Sequence, residues 1–266
     1  MSDTVLAGVL ADLAAEGDQL DELVTPLTDD QWRTATPAEG WDIATTIAHL
    51  AWTDEVAVKA ATDKEAWDAE VMGAIMNPTG YVDEMAVKGA EAAPADLLAR
   101  WRAARPALVK TLEEFPAGEK MMWFGPPMSP TSMASARFME TWAHGLDVAD
   151  ALGVDLAPTD RIRQVAHIGV RTRNYSFKNN ELEAPADEFR VELTAPSGDV
   201  WTWGPDVAGQ TVTGSAYDFC RLVTQRVHRD DTDLVAVGAD ADKWLSIAQA
   251  FAGPAGGGRA AKGASA

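Results

Sequence analysis

Cysteine is nearly missing from this chain. Cys220 stands alone in 266 residues, so no disulfide can close within it and a reducing, cytoplasmic setting is expected. Its neighbours Phe219, Leu222 and Val223 make it read as a small buried apolar residue rather than a reactive thiol. Basic residues are scarce as well: 22 Lys and Arg face 41 Asp and Glu, a formal net charge of −19. That balance offers no clustered basic surface, which argues against nucleic-acid partners and anionic membranes and for a solvated acidic exterior. Long apolar runs are missing too. The early segment Val5 to Ala11 is interrupted by Asp12, and nothing reaches the ~18 residues of a membrane span. The opening Met-Ser-Asp-Thr lacks the basic start of a secretory signal, and no internal repeat is visible. What is present in quantity is apolar residue, 47% of the chain, enough for one large domain or two.

The periodicity predicts an α+β protein: an N-terminal up-and-down helical bundle over 1–178, a small α+β domain over 179–253 and a disordered Gly/Ala-rich tail over 254–266. Leu6, Leu10, Leu13, Leu20, Leu23 and Leu27 recur at helical spacing, interrupted near Gly17. Thr28-Asp-Asp-Gln31 has the form of a capping box, and Asp42 is placed to cap the segment that carries His49. One or two shorter helices over 64–88 split near Asn77-Pro78-Thr79-Gly80. Pro94 opens a helix to about Glu114, Pro130 and Thr131 one that ends near Gly153, and Thr159 or Asp160 one that runs to about Tyr175. Beyond residue 185 the period changes. Phe189–Thr194 and Val200–Trp203 alternate around an Ala-Pro-Ser-Gly turn and read as a hairpin. Gln210–Thr213 is a candidate third strand, Ser215 caps a helix through Arg226, and a last helix spans Trp244–Phe251.

The segment Arg137-Phe-Met-Glu-Thr-Trp-Ala-His144-Gly-Leu-Asp147 carries the densest chemistry. On a helix of 3.6 residues per turn, Arg137, Glu140, His144 and Asp147 share one stripe. Polar groups on a face that should be buried need a partner, and a divalent ion held by His49, Glu140 and His144 supplies one. The spacing also fits a plain surface Glu–His pair worth a few tenths of a kcal/mol. Acids are common enough here that one such pair arises by chance. Cores of bundles bring residues from facing helices together and recur as metal sites, which is how His49 would join the other two.

The residues Gly40-Trp41-Asp42-Ile43, Ala48-His49-Leu50, Trp123-x-Gly125 and Arg137-x-x-Glu140-x-x-x-His144-x-x-Asp147 resemble the mycothiol-dependent maleylpyruvate isomerase-like family, part of the DinB-like metal-binding bundle superfamily. The later run from Val191-Glu-Leu-Thr-Ala-Pro through Trp201-x-Trp203-Gly204 to Ala250-Phe251-Ala-Gly-Pro254 is similar to a wyosine-base-formation-like domain. The first resemblance implies a bundle that holds a divalent ion, usually zinc, with two His and one Glu. The matching positions are His49, Glu140 and His144. It further implies water or a thiol, mycothiol in that family, in an open coordination position. The C-terminal half departs from the isomerase's own pattern, so substrate does not carry over with the ligands.

Two neutral imidazoles and one carboxylate make a Lewis-acidic centre of net charge about +1, suited to zinc and also to iron(II), nickel or manganese. Arg137 and Asp147 flank the ligands as catalytic candidates. Asp147 is expected to accept from an imidazole or from Arg137, with an Arg–Asp pair that merely braces the bundle as the alternative. Among Trp41, Trp52, Trp123 and Trp142 core packing is the default. Trp52, one turn after His49, is singled out as a pocket wall, and Trp123 with Phe124 to Pro127 as a rim. Arg171, beside Arg173 and Tyr175, is a candidate for an anionic cofactor group, or else an anchor between domains. His167 reads as a surface or interdomain residue, and His228 as a cation at a helix end. The expected activity is metal-dependent use of a low-molecular-weight thiol for isomerisation or transfer on a small electrophile. A hydrolase or hydratase using water, and a non-catalytic metal-stapled binding protein, are the alternatives.

Overall fold

In the computed structural model the described residues are 2–263, and they form two compact units that divide between Leu156 and Ala157. The first unit holds six helices: α1 (Ser2–Val24), α2 (Ile43–Thr62), α3 (Lys64–Met76), α4 (Tyr81–Gly89), α5 (Pro94–Glu114) and α6 (Pro130–Leu152). The long helices pack as α1 on α6 and α2 on α5, with α2 also against α4 and α6. Helix α2 therefore lies at the centre, and its residues 43–57 are buried apart from half-buried Glu55. Its core neighbours include Leu20, Val24, Leu97, Leu98, Trp101 and Val148.

Local chemistry sets the ends of these helices. Asp42 Oδ1 accepts from the Thr45 amide at 2.7 Å, which starts α2 in the phase that turns His49 toward α6. Ser129 Oγ accepts from the Ser132 amide at 3.1 Å, and Pro130 occupies the first turn of α6, where a missing N–H costs nothing. Gly153 closes α6 at φ +66°, in the left-handed region. The reciprocal bonds of the Thr28–Gln31 box form, Gln31 Oε1 accepting from the Thr28 amide and Thr28 Oγ1 from the Gln31 amide, but they enclose only the short 3₁₀ turn Gln31–Arg33. Helix α1 runs through Gly17 without a break. The Arg105 guanidinium packs over Gly17, and a Cβ there would require that side chain to shift.

The second unit starts earlier than the change of pattern suggests, at 157 rather than 179. Helices α7 (Arg163–Arg171) and α8 (Arg173–Asn179), read from the sequence as bundle, pack instead on α9 (Ala216–Val223) and α10 (Ala239–Ile247). Helical period reports a helix and its apolar face, not which partner covers that face. The single helix expected to Tyr175 breaks at Thr172, whose hydroxyl turns back to the carbonyls of Ile168 and Gly169.

Four strands, β1 (Arg190–Thr194), β2 (Val200–Trp203), β3 (Thr211–Ser215) and β4 (Val235–Val237), form a sheet in the order β2-β1-β3-β4. The hairpin pairs Val191 with Trp203 and Thr194 with Val200. Strand β3 then runs parallel to β1, and β4 closes the other edge antiparallel to β3. Neither β4 nor the parallel pairing was legible: three residues are too few to show alternation. Helix α9 stops at Val223 rather than Arg226, with Gln225 at φ +60°, and α10 occupies 239–247 rather than 244–251. Of the tail expected to be disordered, residues 254–263 carry no regular helix or strand, the Lys262 amide donates to Asp231 Oδ2 at 2.8 Å, and 264–266 lie outside the described residues. No helix among the described residues is long and apolar enough to cross a membrane.

Candidate metal centre

Helices α2 and α6 bring His49, Glu140 and His144 together, with one ligand atom from each lying within 4.8 Å of the others. Glu140 Oε2 stands 3.4 Å from His49 Nε2 and 3.4 Å from His144 Nε2. A tetrahedral ion with donors at about 2.0–2.1 Å separates them by roughly 3.3–3.4 Å, so the two measured edges have the size such an ion needs. The far nitrogen of His144, Nδ1, is 3.3 Å from Asp147 Oδ2, and that carboxylate is 1% exposed. A neutral imidazole that donates Nδ1–H to Asp147 presents its Nε2 lone pair to a Glu140 oxygen, and two lone pairs face each other. A cation between them relieves that arrangement. The donor set therefore fits a divalent ion.

Protonation points the same way. Burial pushes His49 down to about 4, against the opposing pull of Glu140, so its imidazole is neutral at pH 7. Burial alone would raise Glu140, but its contacts with the His144 and His49 rings and the Arg137 charge hold it well below the usual carboxylate range. A neutral imidazole and an ionised carboxylate are the states that bind metal. His49 Nδ1 is buried with no hydrogen-bond partner among the described residues. Packing orients its ring instead, with Trp41 at 5.1 Å and Trp52 at 6.4 Å between centroids.

Aromatic residues wall the centre. Trp41 stacks on His144 at 5.5 Å with the planes 16° apart, and its Nε1 donates to Asp83 Oδ1 of α4 at 3.1 Å. Trp52 Nε1 donates to Glu70 Oε2 at 3.3 Å, and Glu70 also accepts from Tyr81 at 2.7 Å and Lys59 at 2.6 Å. Burial would raise the Glu70 carboxyl, but these donors hold it below its usual value, while burial and Glu70 together push the Tyr81 phenol up. Trp123 stacks on Trp67 and receives the Arg137 guanidinium over its face, 5.4 Å from the ring centre. Arg137 is 5% exposed, its Nη2 is 3.9 Å from Glu140 Oε1, and its Nε and Nη1 have no hydrogen-bond partner among the described residues. A buried guanidinium with open N–H groups can donate hydrogen bonds to an anionic group.

The remaining candidates fall elsewhere. Arg171 ends α7 in the second unit, exposed, beside a cavity of about 340 Å³ that Arg173, Asn174 and Trp203 also line. Exposed His167 accepts from Trp203 Nε1 at 3.2 Å. His228 does not sit at a helix C-terminus: α9 has already ended, and its Nδ1 accepts from the Asp230 amide at the start of a 3₁₀ turn. Cys220 is fully buried, and burial raises its thiol well above the usual range. Glu70, Tyr81, Asp83 and Asp54 were missed. The first three are single polar residues on α3 and α4 whose partners are set only by packing. Asp54 stands in the sequence as one of two adjacent acids, Asp54-Glu55, and only packing shows that the first of them is buried.

The family described as Mycothiol maleylpyruvate isomerase N-terminal domain matches residues 13–149, and the one described as Wyosine base formation matches residues 185–237. Uncharacterised proteins from two strains of Mycobacterium tuberculosis are each 58% identical over 251 residues, 94% of this chain and 97% of theirs. A crystal structure of the mycothiol-dependent maleylpyruvate isomerase aligns with TM-score 0.57 at 15% identity, over 87% of this chain and 92% of that one. A histidine-to-alanine variant of the isomerase aligns with TM-score 0.58 at 16% identity, over 86% and 92%. At such identity these structures establish the shared fold.

Proposed function

This chain belongs to the family of the mycothiol maleylpyruvate isomerase N-terminal domain, and from that premise we propose that it is a metal-dependent enzyme using a low-molecular-weight thiol, mycothiol, on a small electrophilic substrate. The observation that carries the reading is the convergence of His49, Glu140 and His144 at separations that suit one ion. Zinc fits the donors best. When bound, the ion supplies Lewis acidity that lowers the pKa of a thiol in its open position.

The protein's own groups do the rest. Asp147 holds the His144 ring with Nε2 toward Glu140. Arg137 offers its two open N–H groups to an anionic group of substrate or thiol. Trp52, Trp123 and Trp41 exclude water and orient an unsaturated substrate. The thiolate sulfur adds to the electrophilic carbon of a C=C bond conjugated to a carbonyl; the C–S bond forms as the π pair shifts to give an enolate. In isomerisation the molecule rotates about the resulting single bond, the enolate pair re-forms the C=C bond and the thiolate is expelled; in transfer the enolate carbon takes up the proton the thiol lost and the adduct is the product. The cytoplasm, where such a thiol remains reduced, is the proposed setting.

The test is turnover of small electrophiles, maleylpyruvate first, by metal-loaded protein with and without mycothiol. Turnover that needs the thiol is expected. Equal turnover without it would replace this reading by a hydrolase or hydratase. A melting temperature that falls on metal removal, with no turnover across the panel, would leave a non-catalytic metal-stapled protein.

A further inference from the structure

A cavity of about 440 Å³ lies within the first unit, lined from four helices: Leu13 and Gly17 of α1, Asp54 of α2, Trp101 and Val109 of α5, and Thr141 of α6. None of the three metal ligands lines it. Its walls are largely apolar. Three cations at its edge, Arg102, Arg105 and Lys110, are already engaged, Lys110 Nζ lying 4.0 Å from Glu114 Oε1. Arg105 pairs with Asp18 and donates to the Ala14 carbonyl, and Arg102 holds Asp21 through two nitrogens. Pro106, also in the lining, has no N–H to give to the Arg102 carbonyl four residues earlier.

Asp54 differs from these groups. It is 5% exposed, and among the described residues it accepts no hydrogen bond and joins no ion pair; only the more distant charges of Arg137, Arg105, Glu55 and Glu140 act on it. Burial pushes its carboxyl up to about 7. An unpaired carboxyl in an apolar cavity is costly, and it persists where something completes it. A positive hydrogen-bond donor is what this acceptor lacks, and the walls accept a hydrocarbon body. We infer that this cavity binds a small amphiphilic amine, its ammonium on Asp54 and its apolar body against Leu13, Trp101 and Val109. The inference is independent of the proposed metal chemistry, because the site shares no ligand with the metal centre.

The experiment is calorimetric titration of the full chain with hexylammonium, and with hexan-1-ol as the uncharged control, at pH 8 and physiological salt, where attraction to the acidic exterior is screened beyond about 8 Å. Hexylammonium should bind saturably and roughly tenfold or more tighter than hexan-1-ol, the size expected of a hydrogen bond to a charged partner. Asp54→Asn, which keeps shape and loses charge, should abolish that preference while hexan-1-ol binding persists. Val109→Trp, which fills the cavity, should weaken both ligands. No saturable binding to the unaltered protein, or an undiminished ammonium preference in Asp54→Asn, would overturn the assignment.

Discussion

The two units treat buried polarity differently. In the bundle the buried polar side chains include ionisable ones: His49, Asp54, Glu70, Arg137 and Asp147. In the second unit the buried polar side chains among the described residues are Ser176, Thr224 and Gln249. Those three close backbone groups nearby: Ser176 Oγ accepts from the Gln249 amide at 3.0 Å, Thr224 donates to the Cys220 carbonyl at 2.8 Å, and Gln249 Nε2 reaches the Phe251 carbonyl at 3.0 Å. Neutral groups that satisfy the main chain stabilise a fold. Buried ionisable groups cost stability unless paired; here His49, Glu70, Arg137 and Asp147 are held by ion pairs or hydrogen bonds, and Asp54 has neither among the described residues. The contrast teaches that the bundle is organised around a site and the sheet unit around its own packing.

The strongest way to break that contrast is Glu140→Ala or His144→Ala. Elemental analysis should show metal falling from about one ion per chain to a small fraction, and thiol-dependent turnover should drop on the order of a thousandfold, since the ion is worth several kcal/mol. Full metal content in both variants would remove the site from the comparison altogether.

Asp54→Asn tests the bundle through pH. The folded carboxyl titrates near 7 and the unfolded one near 3.8, so the unfolded chain releases its proton first. Native stability contributed by the protonated form is therefore present at low pH and lost as pH rises through 7. Asp54→Asn should be more stable than the parent by a few kcal/mol at pH 8, with the difference fading toward pH 4, in paired urea titrations. A gap that is constant with pH would show that Asp54 acts by shape alone. The His49 ring slopes the other way. Its pKa drops from 6.5 to about 4 on folding, so metal-free protein loses stability as pH falls through that window.

Arg137→Met should separate function from folding. Thiol-dependent turnover should fall roughly ten- to a hundredfold, while the melting temperature holds or rises, because a buried charge with two unsatisfied nitrogens is exchanged for a packed apolar chain. Asp147→Asn should weaken metal affinity about ten- to a hundredfold, measured by competition with a chelator, as expected when the group that orients a ligating imidazole is altered. Ser176→Ala in the second unit supplies the small end of the scale: about 1 kcal/mol or somewhat more of stability lost, and no change in metal content. An unaltered melting temperature there, or a metal defect, would blur the distinction between the units.

Much of this was legible before the fold. Asp42, Pro130 and Gly153 announce ends of the two ligand-bearing helices through chemistry local to each residue, while the Ser129 cap appeared only in the structure. The stripe Arg137–Glu140–His144–Asp147 follows from helical period. The boundary at 178 was misplaced because the helices Arg163–Arg171 and Arg173–Asn179 look the same whichever unit they join. Strand β4 went unseen because Val235–Val237 is too short for alternation to register.

Residue order alone, then, settled the long helices of the bundle, the Asp42 cap and the chemical types on each face, since those depend on neighbours within one or two turns. Tertiary packing alone decided that His49 meets Glu140 across 91 positions, that Trp41 stacks on His144, and that Asp54 is shut into a cavity without a partner. The reason is physical: distances between helices are set by how side chains from separate segments fill shared space, and no local rule encodes which segments will meet.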